Sequence, residues 1–181
     1  MSEEPGNGPD NAALEGQTPK DQRAALPVMR IQAQYVKDLS FENPKGPAAL
    51  AQAQGRPQIE LEVDVRAGQP SPNGQQEMVL ELTVTVKAGD STLFLIQLAY
   101  AALVLVQHVK EEVREQFLLV ECPRLLFPFA RRIIADLARE GGFPPLLIEP
   151  IDFLALYRNR LARRQRQQAA ADGADSPAPE A

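Results

Sequence analysis

The feature that most constrains this chain is a stretch of helical periodicity, Glu121–Leu137, that contains two prolines. Pro123 suits the first position of a helix, where a missing N–H is no loss, so Cys122 would be the last non-helical residue. Pro128 would lie inside the helix, where it removes a backbone hydrogen bond and bends the axis at a cost of about 3 kcal/mol. Packing must offset this cost, so we expect partners on more than one side.

The apolar residues of this helix form a surface wider than one stripe. They recur at helical spacing and continue onto a neighbouring face: Leu126, Phe129, Ile133 and Leu137, with Leu125, Phe127 and Ile134 beside them. A sheet of the same chain can cover one side. We expect a second copy of the chain to cover the other, so the first four of these residues are predicted to form an oligomer interface.

Four stretches have the pattern of strands. Three of them alternate between apolar and polar residues, as strands with one exposed face do: Val28–Lys37, Gln58–Arg66 and Met78–Lys87. The fourth, Thr92–Val104, is apolar on both faces. The connection Ser40–Gln58 is long, so the first two strands need not be neighbours. No strand pattern follows Val106. The sequence predicts an α+β fold: a four-stranded antiparallel sheet with a long crossover loop after strand one, followed by helices packed on one face.

The helical part should contain a short helix at Glu111–Glu121, the proline-containing helix, and a last helix capped by Asp152. The Gly141-Gly142 pair should end the second helix. Residues 27–166 are expected to form a single domain. Residues 1–26 and 167–181 are polar, without apolar periodicity, and are predicted to be disordered tails.

Composition argues against several classes of function. The net charge of −5 disfavours non-specific binding of nucleic acid, and the longest apolar run is too short to insert into a membrane. The single cysteine, Cys122, cannot form an internal disulfide, and the amino terminus lacks the pattern of a signal peptide. We therefore expect a cytoplasmic protein.

No pattern of reactive residues indicates an enzyme. His108 is the only histidine, so a Cys–His pair or a zinc shell would have to be built from Cys122 and His108 without a spacing motif. Phosphate-binding and nucleophile motifs are also missing from the sequence. We expect no catalytic residue, no metal and no cofactor.

Three features allow two interpretations each. The acidic residues of strand two, Glu60, Glu62 and Asp64, form either a solvated sheet face or a docking surface for a basic partner. The arginines near the end of the last helix either interact with its dipole or bind an anionic partner. The aromatic residues Phe41, Phe153 and Tyr157 belong either to the core or to an apolar groove.

Three separated motifs carry a resemblance to a known family. They read YVKDLSFENP at Tyr35–Pro44, CPRLLFPFAR at Cys122–Arg131, and GFPP at Gly142–Pro145, the last followed by PIDF at Pro150–Phe153. With the four-strand pattern, they make the chain similar to the SecB family of bacterial protein-export chaperones over about Val28–Leu161. The resemblance implies a homotetramer, a dimer of dimers, that holds unfolded preproteins for the SecA ATPase and hydrolyses nothing itself.

The resemblance also implies roles for individual residues. Asp38 and Glu42 match the acidic positions that dock SecA, Leu95 matches the apolar one, and Gln97 stands where the family usually has glutamate. Many relatives carry an aromatic residue at the position of Leu50 in the crossover loop. The predicted client-binding residues are Phe41, Leu50, Phe153 and Tyr157.

The leading hypothesis is therefore a holdase chaperone that keeps secretory preproteins unfolded in the cytosol and delivers them to SecA. One alternative is an adaptor that binds a single folded partner through the acidic sheet face. Another is a small-molecule enzyme that uses a pocket near Phe153.

Overall fold

The computed structural model describes residues 27–52 and 56–174. The four strands precede the long helices, as the sequence predicted. The elements in chain order are β1 Val28–Glu42, α1 Pro47–Gln52, β2 Gln58–Ala67, β3 Gln75–Ala88, β4 Ser91–Gln107, α2 Glu111–Glu140 and α3 Phe153–Ala174. The predicted α+β class is confirmed.

The four strands form one antiparallel sheet in the order β1-β4-β3-β2. The chain segment between β1 and β2 thus carries the backbone from one edge of the sheet to the other, which confirms the crossover. β1 is longer than predicted and continues through Asp38 to Glu42. Two register shifts, at Ile31/Ala33 and Val36/Asp38, interrupt its apolar–polar alternation but not its pairing with β4.

The helix prediction was wrong between Glu111 and Leu137, because one continuous helix, α2, contains both prolines. Cys122 is helical and buried, and Pro123 does not start a helix. A buried stripe at four-residue spacing explains the continuity: Leu118, Cys122, Leu126, Ala130, Ile134 and Ala138. Burial of this stripe against the sheet offsets the hydrogen bonds that the prolines remove.

The glycine pair ends α2 as predicted. Gly142 has a φ of 86°, its N–H donates to Arg139 O, and the N–H of Phe143 donates to Ala138 O. This is a Schellman motif, in which glycine tolerates the left-handed conformation. α3 continues to Ala174, beyond Arg166, where the predicted domain ended. The predicted tail at residues 1–26 and the last part of the other, residues 175–181, lie outside the described residues.

The core lies between the helices and one face of the sheet. The even-numbered side chains of β3 and β4 point into it, among them Leu80, Leu82, Val84, Ile96, Leu98 and Val104, each at most 2% exposed. The odd-numbered side chains point to the opposite face, which we call the open face because α2 and α3 do not cover it. In the described part of the chain, no helix has the length and apolar character needed to span a bilayer.

Candidate functional site

The four residues predicted to dock a partner lie together on the open face, at the edge formed by β1: Asp38, Glu42, Leu95 and Gln97. The register places Glu42 opposite Leu95 and Ser40 opposite Gln97, and Ser40 Oγ lies 3.4 Å from Gln97 Oε1 as a hydrogen-bond donor. Asp38 and Gln97 line one shallow depression. Both acidic side chains and the amide are exposed, whereas Leu95 is half-buried. The four residues therefore share one largely exposed surface at the β1 edge, which a partner can contact.

Most other carboxylates of the open face already have cationic partners. Glu60 pairs with Lys87 at 2.8 Å, Glu81 with Arg66, and Glu77 with Lys37 at 2.5 Å. By contrast, Asp38, Glu42 and Glu62 have no ion-pair partner among the described residues. The sheet register puts Glu62 opposite Thr83, and Thr83 opposite Gln97, so Glu62 lies in the row of the predicted docking residues.

Glu62 is a candidate docking residue that the sequence reasoning did not single out. The alternation of strand two placed it on an acidic face, but β1 and β2 are opposite edges of the sheet. Only the register shows that Glu62 shares a row with Gln97. Since adjacent strands lie about 4.8 Å apart, this row brings Glu62 within about 10 Å of Gln97.

A polar cluster beside Asp38 fixes the irregular part of β1. The hydroxyl of Tyr35 donates to Glu77 Oε1 at 2.5 Å, and Lys37 Nζ donates to Glu77 Oε2 at 2.5 Å. The hydrogen bond from Lys37, with a second from Tyr35, holds the pKa of Glu77 below its usual value. The same bond to Glu77 raises the pKa of the Tyr35 hydroxyl. The cluster links β1 to β3 across β4, so it holds the β1 edge in place.

The four predicted client-binding residues do not share one groove. Phe41 and Leu50 lie at the C-terminal end of α2: a Cβ added to Gly141 would overlap the Phe41 ring, and one added to Gly142 would lie 3.2 Å from Leu50 Cδ2. Phe153 packs instead against Phe127 in the middle of α2. Because α2 is continuous and rises about 1.5 Å per residue, its C-terminal end, where Phe41 and Leu50 lie, is well separated from its middle, where Phe153 packs.

Of these four residues, Leu50 is exposed, Phe41 and Tyr157 are half-buried, and Phe153 is buried. Leu50 is 42% exposed, and Tyr157 is half-buried at the edge of a groove of about 430 Å³ between β2, α2 and α3. Phe153 is 2% exposed, and Phe41 stacks on Phe94 at 5.8 Å between ring centroids. Phe153 therefore belongs to the core, while Phe41 belongs to an aromatic cluster with Phe94 and Phe143.

The predicted oligomer interface needs one correction. Leu126 belongs to the buried stripe of α2 and is 1% exposed, so it packs within its own chain. Leu125 and Phe129 are each 49% exposed. Phe129 stacks on Tyr100 at 6.5 Å, and Tyr100 is opposite Val36 of β1.

These contacts define an exposed apolar patch that joins α2 to the β1 edge: Val36, Leu39, Leu125 and Phe129. Ile133 and Leu137 are partly buried against the core of their own chain. An apolar patch of this kind on an edge strand is typical of a protein–protein contact.

The reactive groups that the sequence analysis considered can be located in the described part of the chain. Among residues 27–52 and 56–174, no group of three His, Cys, Asp or Glu residues is arranged to hold a metal ion. Cys122 is buried, and burial raises the pKa of its thiol to about 12. A thiol in this environment is protonated at neutral pH and is not a nucleophile.

Comparison with known proteins points to one family. The profile of the family described as SecB, preprotein translocase subunit SecB, matches residues 22–164. The protein-export protein SecB of Hyphomonas neptunium is 51% identical over 155 residues, covering 85% of this chain and 91% of the relative. That of Maricaulis maris is 49% identical over 162 residues, covering 88% of this chain and 91% of the relative.

A solved structure supports the fold. The SecB-like chaperone Rv1957 of Mycobacterium tuberculosis, in complex with a peptide from an antitoxin, has a TM-score of 0.53 with this chain. The two are 18% identical, and the match covers 68% of this chain and 90% of the other. The extent of the family match and the identity to the bacterial relatives show that this chain belongs to the SecB family of protein-export chaperones.

Proposed function

We propose that this protein is a cytoplasmic holdase that binds unfolded preproteins and passes them to the SecA ATPase. Beyond the family membership, one observation carries the proposal. The sheet separates two kinds of surface: unpaired carboxylates on the open face, and exposed apolar side chains on the helix side. A client and a motor protein can then be bound at the same time without competing for the same residues.

Client binding would use the helix side. Unfolded chains expose apolar side chains that folded proteins bury, so apolar surface distinguishes the two without reading a sequence. Leu50, Tyr157 and Leu147, the last 84% exposed, offer such surface at separate places. Burial of several hundred Å² at about 25 cal/mol per Å² gives roughly 10 kcal/mol gross, much of which ordering the client takes back. Several grooves on one assembly would restore tight but reversible holding.

Motor docking would use the open face. Asp38, Glu42 and Glu62 surround Gln97 and attract a basic segment, while Leu95 adds an apolar contact. Four copies of a chain with a net charge of −5 would give an assembly near −20, which speeds the encounter with a cationic partner. We propose that SecA binds here, and that Gln97 weakens the contact relative to a glutamate.

Assembly would use the apolar patch of Val36, Leu39, Leu125 and Phe129. β1 is an edge strand, so its outer backbone groups are available to a second copy. We propose a homotetramer built as a dimer of dimers, in which a second chain covers this patch. The protein would act by binding alone and would not be an enzyme.

Suppression of aggregation tests the holdase proposal. A reduced, unfolded test protein is diluted into buffer with or without this protein, and light scattering is followed. We expect an equimolar amount of tetramer to abolish the scattering, and native test protein to remain unbound. Unchanged scattering would contradict the proposal and would favour the adaptor, which binds one folded partner through the open face.

A further inference from the structure

The last helix is the basic part of an acidic protein. Residues 153–169 of α3 contain five arginines and neither aspartate nor glutamate, whereas the chain as a whole has a net charge of −5. The effect of a helix dipole on a charge is confined to the last turn, and the last turn of α3, which ends at Ala174, holds no basic residue. The helix dipole therefore does not explain this cluster of arginines.

Two of the arginines fix α3 to the rest of the domain. Arg160 donates to the carbonyl oxygen of Val65 at 2.7 Å, and Arg164 donates to Glu115 Oε1 at 2.8 Å. Because Val65 belongs to β2 and Glu115 to α2, these side chains point towards the body of the domain.

The other three arginines point away from the domain. Arg158, Arg163 and Arg166 are exposed, and none of them has an ion pair or a hydrogen bond within the part of the chain that the structure describes. At about 100° per residue, the three lie within an arc of about 140°, on the side of the helix away from Arg160 and Arg164. We call this arc the outer face of α3. It offers three guanidinium groups to an acidic partner.

The arginine-rich end of α3 lies at the end of the domain where the chain enters the sheet. Val28, the first residue of β1, is opposite Gln107, at the end of β4 from which the chain passes into α2. α3 runs antiparallel to α2, since its first residue, Phe153, packs against the middle of α2 and Arg164 reaches Glu115 in the second turn of α2. The start of β1 and the arginines therefore lie at the same end of the domain.

The segment that precedes β1 is acidic and long enough to reach α3. Residues 1–26, which lie outside the described residues, contain five acidic and two basic residues. Glu15 and Asp21 precede Pro27 by 12 and 6 residues, so at about 3.3 Å per residue they can lie up to about 40 and 20 Å from it. Three strand spacings, about 14 Å in all, separate β1 from β2, beside which α3 packs.

We propose that the outer face of α3 binds the acidic segment, residues 1–26, of its own chain. The proposal does not depend on the holdase function. A guanidinium binds a carboxylate through a planar pair of donors, and several such pairs on one surface act together. A tethered segment has a high effective concentration, whereas a free polyanion is repelled by the net negative charge of the chain. The segment would therefore occupy this face ahead of other acidic partners.

Distances between two spin labels test the contact. One label is attached to Asn11→Cys in the acidic segment and the other to Gln165→Cys on α3, while the native Cys122 is fully buried and should stay unlabelled. We expect a distance component below about 25 Å, roughly twice the diameter of a helix, at low salt. This component should disappear near 1 M salt, where the Debye length is about 3 Å.

Two sets of substitutions identify the charges involved. The short component should disappear when the outer arginines are changed together, as Arg158→Gln, Arg163→Gln and Arg166→Gln, because Arg160 and Arg164 still hold the helix in place. It should also disappear when the five acidic residues of the segment are changed to amides: Glu3→Gln, Glu4→Gln, Asp10→Asn, Glu15→Gln and Asp21→Asn. The second set leaves the sequence of the folded domain unchanged.

The matched control changes three exposed cationic residues outside α3: Lys45→Gln, Arg56→Gln and Arg132→Gln. It alters the net charge as much as the change of the outer arginines does, and it should keep the short component. Equal loss in both variants would overturn the assignment to α3, and a broad distribution at both salt concentrations would overturn the contact itself. Labelled chains are also refolded with an excess of unlabelled chains. Short distances that vanish on this dilution would place the segment on a neighbouring copy and overturn the intrachain contact.

Discussion

At the scale of single residues, Glu77 shows how the β1 edge of the sheet is held. It accepts hydrogen bonds from Tyr35 and Lys37, both of which belong to the irregular part of β1. The small side chain of Ala101, which is opposite Tyr35 on the intervening strand, leaves room for the contact. Because the bonds favour the ionised carboxylate, its pKa in the folded protein lies below its usual value.

The lowered pKa of Glu77 predicts a pH-dependent contribution to stability. A carboxylate whose pKa is depressed in the folded protein stabilises the fold at pH values above its unfolded pKa of about 4.3. This contribution is lost as the pH falls through the folded-state pKa. We expect Glu77→Gln to lower the urea midpoint at pH 7, with a difference from wild type that shrinks towards pH 3. Glu62→Gln is the control, since Glu62 has no partner among the described residues. A pH-independent effect of Glu77→Gln would mean that ionisation plays no part.

Single positions also show which residue placements could be predicted from the sequence. The motif match assigned Asp38, Glu42, Leu95 and Gln97 to one surface, and the structure places them side by side, because strand register keeps residues of one face together. Leu126 was assigned to the wrong side of α2, since an apolar surface wider than one stripe does not reveal which residues face the sheet. The stripe is fixed by packing, and Leu125, one position away, is the exposed residue.

At the scale of elements, α2 differs most from its prediction. Prolines are strong signals of helix boundaries, so a sequence reading places an end at Pro123. The observed helix passes through both prolines because its buried stripe starts at Leu118, before the first of them. The strands could be predicted because the apolar–polar alternation is visible in the local sequence. The stability of a helix that contains prolines depends instead on packing against the sheet, which the local sequence does not show. Because α2 is unbroken, Phe41 at its C-terminal end and Phe153 at its middle lie far apart.

The β1 edge carries the second prediction, which concerns docking. Asp38→Ala combined with Glu42→Ala removes two unpaired charges and should change the free energy of unfolding by less than about 1 kcal/mol. Binding of SecA should weaken, mostly through a slower association rate, and its salt dependence should decrease. Gln97→Glu should tighten binding and make it more sensitive to salt. Surface plasmon resonance across a salt series measures both rates.

Glu112→Ala with Glu149→Ala provides the control for net charge. Both residues are exposed, neither has an ion-pair partner among the described residues, and neither lies in the sheet. This variant should keep the association rate of wild type to within a small factor. If it slows association as much as the change at Asp38 and Glu42 does, the open face steers through total charge alone and contains no specific contact.

At the scale of the whole molecule, the arrangement of surfaces sets limits on assembly. α2 and α3 cover one face of the sheet, so a second copy that also covers the open face would hide Asp38 and Glu42. The patch of Val36, Leu39, Leu125 and Phe129 avoids this conflict, because it lies at the β1 edge on the helix side. Assembly through this patch would leave Asp38, Glu42 and Gln97, and the groove between β2, α2 and α3, accessible.

The last prediction is that this patch holds the copies together. Phe129→Glu would place an unpaired carboxylate in the contact, which costs several kcal/mol, and should raise the dissociation constant at least about 100-fold. Phe129 is half-exposed within its own chain, so the separated chains should stay folded. Ile59→Glu is the matched control, because Ile59 is 50% exposed on β2, at the opposite edge of the sheet. Light scattering coupled to size exclusion should give a tetramer for wild type and Ile59→Glu, and smaller species for Phe129→Glu. Equal masses for all three proteins would place the contact elsewhere, and a wild-type monomer at micromolar concentration would rule out the assembly.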